Sequence, residues 1–209
     1  MRFKTKSFLR REQYKRLSKL SIDGKILDIG GSKKSGYHEL IGGDHSILVG
    51  NINEAYGIDL VFDAQEPWPF EDASFDGVLL VNVLEHLYKH RVTLDETRRT
   101  LRKGGTVAGV VPFMINVHGS PNDYFRYTRS TLEQMLNEAG FSDVQVEELG
   151  TGAFSVIYHC LLGFVRFNWM ADVLIPLFGG IDRLIGRIKP DNKMSAKQMP
   201  LGYYFEARR

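Results

Sequence analysis

Four apolar runs of the chain each end on polar residues able to grip a ligand. Lys25-Ile26-Leu27-Asp28-Ile29 runs into Gly30-Gly31-Ser32, and Ile47-Leu48-Val49-Gly50 ends at Asn51. Ile58-Asp59-Leu60-Val61-Phe62 ends at Asp63, and Phe75-Asp76-Gly77-Val78-Leu79-Leu80-Val81 ends at Asn82, with Glu85-His86 just beyond. Glycines let a backbone approach a ligand closely, while carboxylates and amides accept hydrogen bonds from ribose hydroxyls or an adenine amino group. Ligands of open α/β sheets sit beyond the carboxyl ends of the strands, so these residues describe a cleft shaped for a nucleoside. Neither phosphate motif is complete. The segment from Gly30 to Gly36 lacks the G-x-G-x-x-G register, and the P-loop spacing from Gly31 to Gly36 continues with Tyr37-His38 instead of Lys and Ser or Thr.

The elements that must position these residues follow from the patterning. A fifth apolar run, Gly105 to Val111, is closed by Pro112. Leu87, Leu94 and Leu101 recur every seven residues and predict one amphipathic helix ending before Gly104-Gly105. Leu132, Met135, Leu136 and Ala139 predict another, with a capping box at Ser130 and Glu133 and a stop at Gly140. Val144 to Glu147 and Gly202 to Ala207 alternate as strands. This alternation predicts an α/β fold, a Rossmann-like, doubly wound, mostly parallel sheet with an antiparallel pair at its end.

Charge and composition narrow the class. The chain has 209 residues, 43% hydrophobic and 25% charged, the mixture of one folded domain with room for an insertion. Residues 1–20 carry eight basic side chains against Glu12 alone, and since the whole chain is +2, the remainder is −5. A net acidic body argues against nucleic acid as the partner. The single cysteine, Cys160, excludes an intrachain disulfide and is expected to be a packed apolar residue. No Cys/His grouping has metal-site spacing, so no metal is expected. The basic N-terminus is not followed by an apolar run of signal-peptide length, which makes the cytoplasm the expected location. The division expected is a basic helical arm over 1–21, the ligand-binding domain over 22–150, a helical insertion over 151–199 and the last strand over 200–209. Residues 153–188 are rich in Phe, Leu, Ile, Val and Trp but interrupted by His159, Arg166, Asn168, Asp172, Asp182 and Arg183, too often for a transmembrane span. A lid, a homodimer contact and an element lying in the inner face of a membrane all remain open for them.

The strand ends also carry a family resemblance. Ile26 to Ser32, Phe62-Asp63-Ala64, Pro69 to Asp76, Val83-Leu84-Glu85-His86-Leu87 and Leu101 to Gly105 resemble, in order and spacing, the class I S-adenosylmethionine-dependent methyltransferases of the type-11 small-molecule branch. The likeness covers residues 22–149 and the last strand. It implies seven strands and S-adenosyl-L-methionine as cofactor. It further implies Gly30, Gly31 and Ser32 against the methionine part, with Asp28 orienting the turn or the amine. Asn51 and Ile52 would then face the ribose, Asp63, Ala64 and Gln65 the adenine, and Asn82 through His86 the sulfonium. Two departures stand out: Ser32 replaces a usual glycine, and Asn51 stands where the family has an acid.

A second segment, Pro112-Phe113 with Val117 to Thr128, resembles a loop of a sub-branch associated with bacterial surface polysaccharide and glycolipid pathways. There His118 is the candidate proton acceptor, Arg126 the candidate anchor for an acceptor carboxylate or phosphate, and Tyr124 their neighbour. The expected reaction is methyl transfer to a hydroxyl of a small-molecule, glycan or glycolipid acceptor. The rival readings are a binding or scaffold protein without turnover, and an RNA methyltransferase steered by the basic arm.

Overall fold

The computed structural model describes residues 5–54, 57–189 and 192–209. Arg2 and Lys4 of the basic arm, and Pro190 and Asp191 of the loop after the insertion, lie outside the described residues. In chain order the elements are α1 (Phe8–Leu17), β1 (Gly24–Ile29), β2 (His45–Asn51), β3 (Leu60–Val61), β4 (Phe75–Val81), α2 (His90–Thr100), β5 (Leu101–Pro112), α3 (Arg129–Glu138), β6 (Ser142–Leu149), α4 (Ala153–Cys160), α5 (Asn168–Ile188) and β7 (Gly202–Arg208). They form a seven-stranded sheet of order β3-β2-β1-β4-β5-β7-β6, in which β7 runs opposite to the other six strands. The expected fold class is therefore the observed one. The chain steps outward from β1 to β3, then returns to lay β4 beside β1, so the order reverses between β1 and β4.

The central strands are buried on both faces, as continuous apolar runs require. On one face Leu27, Ile29, Leu80 and Val107 pack with Leu94 of α2 and Leu132 and Leu136 of α3. On the other, Ile26, Leu79, Ala108 and Val110 pack with Phe8, Leu9 and Leu17 of α1, Tyr158 of α4 and Ala171 and Ile175 of α5. The insertion between β6 and β7 is thus a covering layer of the sheet. Asp182 of α5 ties it together: it accepts hydrogen bonds from the Phe154 and Ser155 amides, both at 3.0 Å, and from the Thr151 hydroxyl at 2.8 Å, supplying acceptors for the start of α4.

Four local expectations are corrected. The leucines at 87, 94 and 101 do not share a helix: Leu87 precedes α2 and Leu101 begins β5, though all three are buried in one core. The third strand shortens to Leu60–Val61, because it pairs only with Gly50 and Asn51 at the sheet edge. The cap of α3 is Thr128, whose hydroxyl accepts from the Thr131 amide at 3.3 Å, two residues before the expected Ser130. Cys160 is exposed on α4, whose inward positions are taken by Ser155 and Tyr158.

Candidate functional site

Beyond the ends of β1, β2, β3 and β4, at the reversal of strand order, lies an open cleft of about 1200 Å³. Its walls include Gly30, Gly31 and Ser32 from β1, Asn51 and Ile52 from β2, Asp63, Ala64 and Gln65 from β3, and Asn82 and His86 from β4. Eleven cofactor residues were expected from the sequence, and only Asp28 is absent from this wall. Asp28 lies fully buried beneath the turn, where its Oδ2 accepts from the Tyr37 hydroxyl at 2.7 Å and from His38 Nε2 at 2.6 Å. Burial raises its carboxyl above the ordinary range, opposed by the His38 and Tyr37 hydrogen bonds. A side chain at Gly31 would put its Cβ 1.9 Å from Asp28 Oδ2, and Gly30 adopts φ +75°, so the turn is made of bare backbone for two separate reasons.

Asn51 takes part in the same construction. Its Nδ2 donates to the Gly31 carbonyl at 2.9 Å, while its Oδ1 accepts from the Asn53 amide at 3.2 Å. A carboxylate at this position has no proton to give that carbonyl. Ser32, the other departure, caps its own turn: its hydroxyl accepts from the Lys34 amide at 3.1 Å. On the far side, Asp63 Oδ1 accepts from the Gln65 amide at 2.9 Å, and Gln65 Oε1 accepts from the Lys89 amide at 3.0 Å. Ile52 and Phe62 offer apolar surface beside Asp63.

The fourth wall comes from an element that the sequence reading left outside the site. Arg10, Gln13 and Tyr14 of α1 line the cleft, and Gln13 Nε2 donates to Asn82 Oδ1 at 2.8 Å. Asn82 itself has φ +52°, a left-handed conformation that asparagine tolerates better than most residues. The arm is therefore no free basic tail. Arg11 pairs with Asp172 at 2.8 Å, and Arg16 pairs with Glu147 at 2.9 Å while lying over the Tyr204 ring.

Residues 116–127 close the rim. Tyr124 lines the cleft and its amide donates to the Glu85 carbonyl at 2.8 Å. His118 is held by its amide, which donates to Asp123 Oδ2 at 2.8 Å. The Asp123 carboxylate takes the Arg126 guanidinium on both oxygens, at 2.5 and 2.6 Å, and is pulled down to about 2 by it. Arg126 thus spends its charge within the loop and is not among the residues lining the cleft. Glu85 lies wholly buried below, and burial pushes its carboxyl up to about 8.

Residues 45–109, from β2 into β5, match the family described as methyltransferase domain, type 11. Over that stretch the chain is similar to type-11 methyltransferase domains. Over 139 residues, 60% of this chain and 68% of the relative, it is 25% identical to an uncharacterized protein of Methanocaldococcus jannaschii. A solved SAM-dependent methyltransferase from Archaeoglobus fulgidus superposes with a TM-score of 0.59 at 18% identity, covering 96% of this chain and 91% of that one. Phosphoethanolamine N-methyltransferase 2 of Haemonchus contortus, solved with S-adenosyl-L-methionine, gives 0.58 at 17% identity, covering 96% of this chain and 52% of that enzyme. This chain spans about half the length of the Haemonchus protein, and at such identities the likeness is one of fold.

The sequence signal of a strand ending in a polar residue located three walls of the cleft. It missed Gln13 and Tyr14, because nothing local to α1 marks a helix that folds back over a sheet edge. Tyr37 and His38 were equally silent; two polar aromatics nine and ten residues after a buried acid become meaningful only once the turn brings them to it. No ligand spacing marks a metal site in the sequence, yet the fold gathers Glu85, His86 and His118, whose ligand-type atoms lie within 4.8 Å of one another.

Proposed function

We propose that this methyltransferase domain binds S-adenosyl-L-methionine across the ends of β1 to β4 and transfers its methyl group to a hydroxyl of a small-molecule, glycan or glycolipid acceptor. One observation carries the reading: four polar strand ends face a single cleft, and the turn at its floor is bare backbone braced by a buried carboxylate. That cradle fits the cofactor's methionine part, which needs close backbone approach, while Asp63 with the Gln65 loop suits an adenine edge beside the apolar surface of Ile52. Asn51 and Ser32 would meet the cofactor mainly through the backbone that they brace.

When bound, S-adenosyl-L-methionine supplies a methyl group on a sulfonium, which is already a good leaving group. The chain's own residues then have chiefly to align the acceptor oxygen, and alignment contributes most of such a catalysis. His86, Asn122 and Tyr124 border the cleft on that side and would position the acceptor, while His118 stands behind them, outside the cleft wall, with its Nε2 toward Glu85. Arg126 serves by pinning Asp123.

A lipid-linked acceptor is favoured by α5. Trp169, Val173, Leu177, Leu184 and Ile188 form an exposed apolar stripe along it, and its exposed charges, Arg183 and Arg187, are basic. Asp172 and Asp182 of the same helix are turned inward onto Arg11 and the start of α4. This supports a helix lying in the surface of an anionic bilayer. No helix of the described residues is long and apolar enough to cross a membrane. Arg11 and Arg16 spend their charge on acids of the chain itself, which argues further against RNA as the acceptor.

Calorimetry with S-adenosylhomocysteine tests the cofactor half of the reading, and transfer of a radiolabelled methyl group to extracted glycolipid tests the other. Saturable binding without transfer to any hydroxyl acceptor would leave a binding protein.

A further inference from the structure

The carboxylate of Glu85 is wholly buried, and neither of its oxygens has a hydrogen-bond partner. Such a group is stable only where a cation or a proton sits on it. Two imidazoles face it. His86 Nε2 lies 3.7 Å from Glu85 Oε1, and His118 Nε2 lies 4.0 Å from the same oxygen. Both distances are too long for hydrogen bonds.

The tautomers follow from what lies behind each ring. His86 Nδ1 is 2.5 Å from the Asn122 carbonyl, and His118 Nδ1 is 3.3 Å from the Asn116 carbonyl with Asp123 Oδ2 at 3.5 Å. A carbonyl only accepts, so each Nδ1 carries the proton and donates it, which leaves each Nε2 with a lone pair aimed at Glu85. Two imidazole lone pairs therefore converge on a carboxyl that a proton or a cation must neutralise, and neither imidazole supplies that proton. Imidazoles whose outer N–H is fixed by a carbonyl or carboxylate, with the inner nitrogen free, have the arrangement of metal-ligating histidines. Ligand atoms bound at about 2.0–2.2 Å to one ion lie roughly 3–3.5 Å apart, which these three reach by a small inward movement.

We propose that Glu85, His86 and His118 form a binding site for a divalent transition ion such as Zn²⁺ or Co²⁺, at the rim of the cleft. Two imidazoles and one carboxylate suit such ions and not Mg²⁺, which prefers oxygen ligands and keeps its waters. Three protein ligands leave at least one position open, and because His86 and Asn122 also line the cleft, an oxygen-bearing acceptor is the class of molecule that would fill it. The ion site stands on these contacts alone; only its use toward an acceptor rests on the methyl-transfer reading.

The test uses the untagged full chain, stripped with a chelator and dialysed against Zn²⁺ or Co²⁺. The expected result is one Zn²⁺ per chain, a Co²⁺ form with visible ligand-field bands, and no displacement by equimolar Mg²⁺. His118→Ala and Glu85→Gln should each weaken Zn²⁺ binding at least tenfold, while His45→Ala, at the opposite end of the sheet, leaves it unchanged. Absence of stoichiometric Zn²⁺, or equal affinity in His118→Ala, overturns the site. His118 lies on a partly exposed loop, so this variant decides the matter even if Glu85→Gln does not fold. S-adenosylhomocysteine calorimetry on the same stripped protein reports separately on the cofactor cleft, so loss of one reading does not imply loss of the other.

Discussion

At Gly31 a single methyl group separates a working turn from a broken one. Its Cβ would fall 1.9 Å from Asp28 Oδ2, and the buried carboxylate cannot retreat without losing Tyr37 and His38. Gly31→Ala should therefore cost about 1–3 kcal/mol in stability, the range of overpacking in a core, and weaken S-adenosylhomocysteine binding with it. Thermal unfolding and calorimetry on the same sample read both, and an unperturbed variant would mean that the turn is not braced by Asp28. At Asp63 the expectation is milder. Asp63→Ala removes one good acceptor and should weaken cofactor binding by roughly tenfold with the fold intact. Unchanged affinity would remove Asp63 from the site. Residue types at strand ends were legible in the sequence because cleft-facing positions of a parallel sheet must be polar where the apolar run stops. The partners of those residues were not. That Asn51 holds the Gly31 carbonyl, and that Arg126 is consumed by Asp123, depends on loops meeting in space, which spacing along the chain does not encode.

At the scale of elements, the loop carrying Asp63 to Gln65 is held from behind by α2. Glu96 accepts from the Trp68 amide at 2.7 Å and pairs with Arg99 at 2.7 Å, and the Arg99 guanidinium holds its carboxyl below the usual range. An acid whose folded value is depressed adds stability above its unfolded value, and that contribution is lost as pH falls through the folded value. Glu96→Gln should accordingly cost about 1–2 kcal/mol at neutral pH. The gap to the wild type should close as the solution is acidified below the ordinary carboxyl range; urea unfolding from pH 7 to pH 3 measures it, and a gap that persists at pH 3 contradicts the ion pair as its cause. The elements themselves were read unevenly from the sequence. β1, β4 and β7 were legible as continuous apolar or aromatic runs. The leucines at 87, 94 and 101 misled, since a seven-residue repeat satisfies a helix as well as a turn, a helix and a strand that feed the same core.

For the molecule as a whole, one face of the sheet is covered by α2 and α3 and the other by α1, α4 and α5, so the insertion supplies a structural layer and, among the described residues, contributes none of those that line the cleft. That leaves the outer side of α5 to be explained. Trp169 is 63% exposed and Ile188 77%, at opposite ends of a 21-residue helix whose inward side already fills the core. Burying such a stripe in a bilayer surface gains apolar area, and Arg183 and Arg187 add attraction to anionic headgroups that salt screens. The protein should then sediment with vesicles containing phosphatidylglycerol, less with phosphatidylcholine alone and less at high salt. Trp169 fluorescence should shift to the blue on binding, while Trp68, buried in the core, stays silent. Trp169→Glu combined with Leu177→Glu should abolish sedimentation without altering S-adenosylhomocysteine affinity, because neither residue touches the cleft. If instead the wild type elutes as a dimer that these substitutions dissociate, and vesicles do not compete, the stripe joins two copies of the chain and a lipid-linked acceptor loses its support.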